Sequence, residues 1–77
     1  MITGAQIRAA KAILQWSGSV LAMKAGVSLS SIRRVEAFDG VPLNVSMNTL
    51  VSLQKALEEG GVEFIGTPDH QPGVRLK

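Results

Sequence analysis

Apolar residues recur through the first three quarters of the chain at the three- and four-residue spacing of helices that bury one side. Ile7, Ala10, Ile13 and Leu14 share one face of a first helix, which Thr3 can cap and Gly4 and Ala5 open. Trp16 and Ser17 interrupt that pattern. Ser17 is placed to cap a second helix running to about Ala25, with Val20, Leu21 and Ala25 inward. Gly26 ends it, because glycine enters the left-handed conformation without steric cost. Ser28 then caps a third helix carrying Leu29, Ile32 and Val35. The stretch from Ala37 to Val45, AFDGVPLNV, contains Asp-Gly and Val-Pro and reads as a loop. Ser46 or Asn48 starts a fourth helix with Leu50, Leu53, Ala56 and Leu57 on one stripe, and Gly60 and Gly61 stop it.

The tail follows another rule. Val62-Glu63-Phe64-Ile65 and Val74-Arg75-Leu76-Lys77 each alternate in polarity, and Gly66 to Gly73 between them is rich in glycine and proline. Two short strands around a long loop are expected. An isolated hairpin is marginal in water, so this one must pack on the helices or pair with another chain.

Composition narrows the class. With 45% hydrophobic and 18% charged residues in 77, the chain is one small folded domain rather than a disordered tail. No apolar run approaches the roughly 18 residues of a membrane span, and Arg8 and Lys11 interrupt the N-terminal segment, so neither membrane insertion nor a signal peptide is expected. The absence of cysteine excludes disulfides, thiolate zinc sites and cysteine nucleophiles. The expected compartment is the cytoplasm, and oligomerisation is the remaining support for so small a core.

Charge is segregated. Met1 to Val35 holds Arg8, Lys11, Lys24, Arg33 and Arg34 without an acid, a net of +5, whereas Glu36 to Lys77 nets −3. An all-positive half is either a solvated face or the footprint of an anionic partner, of which nucleic acid is the first candidate.

The informative stretch is Gly18 to Val35. Two short helices meet at Gly26, small Ala22 sits at their closest approach, and Leu21, Val27, Ile32 and Val35 plug the space between them. This spacing fixes two helices at a steep angle with the second one exposed, as a recognition helix in a major groove requires. The run WSGSVLAMKAGVSLSSIRRVE, Trp16 to Glu36, resembles the helix-turn-helix domains of the Cro/phage-repressor (XRE-type) transcriptional regulators. The likeness extends from ITGAQIRAAKAIL through Thr49 to Leu57, and the GVEFI and GVRL segments resemble a minimal, single-domain subgroup of that family. The resemblance implies a mainly α fold, a repressor-like bundle of four to five helices with a helix-turn-helix, plus a short C-terminal hairpin or strand pair. Residues 1–61 would form the DNA-binding domain, and residues 62–77 a strand segment serving dimerisation.

Carried onto this chain, the resemblance places Ser28, Leu29, Ser30, Arg33 and Arg34 on the outward side of the third helix. Ser28 caps it and can offer a hydroxyl to a phosphate. Leu29 and Ser30 stand at the exposed N-terminal end, where leucine suits a thymine methyl, and Arg34 reaches guanine or phosphate. Arg33 and, less directly, Lys24 serve the DNA backbone. The family also pairs a basic residue of the first helix with an acid closing the third; here those positions are Lys11 and Glu36, where the alternative is two unlinked surface charges. The chain departs from the family at Gly18, Ser19 and Val20, where a phosphate-clamping glutamine followed by acids is usual.

The implied function is a sequence-specific regulator, a repressor that binds double-stranded DNA as a homodimer through paired half-sites. The alternative is a protein-interaction module on the same fold, an anti-activator or antitoxin-like protein binding a larger regulator protein, with Val20 or Met23 in an apolar patch. No enzymatic activity, metal or cofactor is expected: His70 is a lone histidine in a loop, Glu58 and Glu59 are adjacent on a helix end, and Gly60-Gly61 lacks the lysine of a phosphate loop. Trp16 and Phe64 read as core, and Phe38 as core or dimer contact.

Overall fold

The computed structural model describes all 77 residues. Four helices, α1 (Gly4–Leu14), α2 (Gly18–Ala25), α3 (Leu29–Glu36) and α4 (Met47–Gly60), precede a two-stranded antiparallel sheet of β1 (Val62–Thr67) and β2 (His70–Leu76). Local chemistry accounts for every helix start. Thr3, Ser17, Ser28 and Ser46 each accept a hydrogen bond from the backbone N–H three residues on, a cap worth about 1 kcal/mol over alanine. Of the two possible starts for α4, Ser46 is the one used. Gly26 ends α2 with φ 71°, inside the left-handed region.

The core lies where the four helices and β1 converge. Ile7, Leu21, Ile32, Val35, Leu53, Leu57 and Val62 are almost wholly buried. Ile13 departs from expectation: it stands one residue off the Ile7–Ala10–Leu14 stripe and is exposed, while Ile2, ahead of the helix, is buried. Val20 and Ala25 are half-buried rather than fully inward. Trp16 packs against the core without entering it. A Cβ on Gly60 would lie 2.6 Å from the indole, so that glycine leaves the ring its seat.

The loop after α3 crosses the N-terminus of α1. Gly4 N–H donates to the Gly40 carbonyl at 2.9 Å, and a Cβ on Gly4 would stand 1.9 Å from the Phe38 carbonyl oxygen. Only glycine allows that approach. Phe38 itself is half-buried.

The expected long loop in the tail is instead a tight hairpin. Strand pairing runs from Val62 opposite Leu76 to Thr67 opposite His70, and only Pro68 and Asp69 form the turn. Gly66 and the Gln71-Pro72 pair fill a bulge rather than a loop. Gly66 has φ 77°, and a Cβ there would lie 2.1 Å from the Gln71 carbonyl oxygen. His70 thus begins β2 and is exposed. The hairpin is docked on the helices: Gln6 Nε2 donates to the carbonyls of Ile65 (3.2 Å) and Gly73 (2.9 Å). The same side chain closes a capping box, its Oε1 accepting from Thr3 N–H at 2.8 Å. No helix is long and apolar enough to cross a membrane.

Candidate nucleic-acid interface

The α2–turn–α3 unit presents one buried and one open side. Leu21 and Ala22 of α2 and Ile32 and Val35 of α3 face the core. On α3 that leaves Ser30, Arg33 and Arg34, spaced three and four residues apart, on the exposed side. Neither arginine pairs with an acid or donates a side-chain hydrogen bond. Both lie in the last turn of α3, where positive charge complements the carbonyl end of the helix dipole.

One of the expected contacts sits differently. Leu29 is half-buried and packs on the core instead of projecting beside Ser30. A Cβ built on Gly18 would stand 3.2 Å from Leu29 Cδ1, so the leucine leans into the space that a side chain at the start of α2 would narrow. Ser28 is exposed and caps α3 as expected, its Oγ accepting from Ser31 N–H at 3.1 Å and lying 3.0 Å from Ser31 Oγ. Lys24 is exposed as well. Its ammonium lies 5.1 Å from the centroid of the Trp16 ring, a cation–π distance that fastens the end of α2 to the α1–α2 connection.

The segregated charge is partly consumed inside the fold. Lys11 Nζ lies 2.6 Å from Glu36 Oε2, with side chains only 20% and 19% exposed, tying α1 to the end of α3. Glu36 Oε2 is buried and has no angled hydrogen bond, so the ammonium is its sole partner. Arg8, counted by sequence in the basic half, donates to the carbonyls of Glu36 and Phe38, the latter at 3.1 Å, and pairs with Asp39. A signal for this exists in the sequence: Arg8 and Lys11 are spaced three apart, as are Glu36 and Asp39. Of the basic residues before Glu36, only Lys24, Arg33 and Arg34 remain free of acids.

The apolar patch considered for a protein partner is represented by Met23, 72% exposed on α2. Val20 beside it is half-buried. On the hairpin, Arg75 Nε donates to Glu63 Oε1 at 2.7 Å across the strands; the guanidinium holds the Glu63 carboxyl below its ordinary pKa and is itself raised by it. No family model matches this chain, and no curated protein matches it.

Proposed function

We propose that this chain is a sequence-specific DNA-binding transcriptional regulator of the Cro/phage-repressor type, acting as a repressor and as a homodimer. The observation that carries the proposal is the face of α3: Ser30, Arg33 and Arg34 are exposed and unpaired, while Ile32 and Val35 seat the same helix on α2 through the Gly26 turn. In a major groove, Arg34 is assigned to a guanine edge or a phosphate, Arg33 to the phosphate backbone and Ser30 to a base edge. A bidentate arginine–guanine contact discriminates by about 1–3 kcal/mol. Ser28 acts as the helix cap, and Leu29 positions α3 on α2 rather than touching a base. The test is duplex affinity by fluorescence anisotropy between about 50 and 200 mM salt. A steep fall in affinity, with a slope about one unit shallower in Arg33→Ala, is expected. A salt-independent affinity overturns the proposal.

A second function is favoured by one observation, the exposed Met23 on α2. A protein-interaction module would use the α2 surface and leave the arginines idle. Loss of function in Met23→Asp or Val20→Asp, with full function in Arg33→Ala/Arg34→Ala, selects it.

A further inference from the structure

We propose that the cleft between Trp16 and the end of α4 is a binding site for a small organic ammonium head group. Trp16, Lys24, Ala56, Glu59 and Gly60 line a cavity of about 210 Å³. Sites for drug-sized ligands span roughly 300–1,000 Å³, so this one takes a head group with a short stem and nothing larger.

The walls favour positive charge. The indole of Trp16 lies against Gly60, where a Cβ would come within 2.6 Å of the ring. Its π face attracts cations. Glu59 is exposed in the same cavity and belongs to no ion pair. Glu58 and Glu59 stand in the last turn of α4, which holds no base. That is the reverse of what the negative, carbonyl end of a helix favours, and a bound cation would correct it. Buried Ala56 closes the cavity with an apolar wall for the ligand's stem.

The fold already seats one cation here. Lys24 Nζ stands 5.1 Å from the centroid of the Trp16 ring. Its side chain is exposed and pairs with no acid, Glu59 included, so the ring alone holds it. An exposed contact of this kind favours the seated over the free side chain only about two- to fivefold. A free ammonium therefore displaces Lys24 readily, and within the cavity it gains the Glu59 carboxylate that Lys24 does not reach. Neither Arg33 nor Arg34 takes part, so the site stands whether the chain binds DNA or a protein.

The test uses n-butylammonium, which is the lysine side chain as a free molecule, and reads the Trp16 indole N–H resonance, since the chain has one tryptophan. At neutral pH and constant ionic strength the resonance should shift and saturate, with a dissociation constant of about 1–10 mM. The neutral n-butanol should give no saturable shift. Lys24→Ala vacates the ring and should tighten binding about two- to fivefold. Glu59→Gln, a change of an exposed side chain, should weaken it by about the same factor. Backbone amide shifts should centre on Lys24 and on Ala56 to Gly61. A resonance that does not saturate even in Lys24→Ala, an equal response to n-butanol, or a Glu59→Gln variant that binds as tightly as wild type overturns the proposal. Shifts spread over Asp39, Glu63 and Asp69 overturn it as well, because they show unspecific attraction to acids.

Discussion

Gly18 and Leu29, the first residues of α2 and α3, share one space: a Cβ on the glycine would come within 3.2 Å of Leu29 Cδ1. A side chain at Gly18 therefore acts on the setting of α3 as well as on the start of α2. In the wild-type background Gly18→Ala is expected to be near neutral, the helix-propensity gain being offset by displacement of the leucine. In a Leu29→Ala background the same change should stabilise by about 0.5–1 kcal/mol. Urea unfolding of the four proteins checks this, and a coupling below about 0.3 kcal/mol means the residues are independent.

The Lys11–Glu36 pair gives a second prediction. Truncating one partner of a fully buried pair costs about 3–5 kcal/mol. With about one fifth of each side chain still wet, Lys11→Met should cost about 1–3 kcal/mol. Lys11→Met/Glu36→Leu should recover most of it, since the loss comes from a stranded carboxylate. Chemical denaturation reads both, and equal stability of Lys11→Met and wild type would mark the pair as a bystander.

Gln6 joins three structural units at once: the α1 cap, β1 and β2. Gln6→Ala removes those side-chain bonds and leaves the buried Thr3 N–H and two part-buried carbonyls unmatched, which should cost about 2 kcal/mol. The loss should be uneven. Amide hydrogen exchange is expected to accelerate across Val62–Leu76 more than in α2 and α3; uniform acceleration would show that the hairpin is not an independently released unit.

Acid affects the hairpin through Glu63. Its folded pKa lies below the ordinary value because Arg75 hydrogen-bonds to and faces the carboxylate. A lowered folded pKa means stability that is present above the unfolded pKa of about 4.3 and lost as pH falls through the folded value. Glu63→Gln should abolish that part of the acid dependence and leave neutral stability nearly unchanged, since exposed pairs contribute little. Thermal melts at pH 3 and pH 7 report it; an undiminished pH difference in the variant removes Glu63 as the source.

Much of this fold was legible because its signals are local. A hydroxyl before each helix and a glycine after α2 act within one turn, so Ser17, Ser28 and Gly26 could be placed from their neighbours alone. What was hidden depends on partners distant in the chain. The space that Leu29 fills is set by Gly18 on another helix, and the seat of Trp16 by Gly60. Gly66 and Pro72 resemble loop residues, yet a bulge accommodates both, so composition overstated the loop. The basic half misled for the same reason at Arg8, which is matched by Asp39 across the fold, whereas the Lys11–Glu36 pair was already implied by the resemblance. On the candidate interface, Ser30, Arg33 and Arg34 stand exposed as helical periodicity places them, and Leu29 follows its spacing to Ile32 and Val35 rather than the outward position implied by the resemblance.

The most direct test is selection of genomic DNA fragments by purified protein at about 150 mM salt, with Arg34→Ala alongside. A palindromic site enriched by the wild type and not by the variant is the predicted result, and it establishes direct readout by α3 and two-fold binding together. Failure of folded wild-type protein to enrich any site contradicts the DNA-binding function and turns the search to a protein partner for α2.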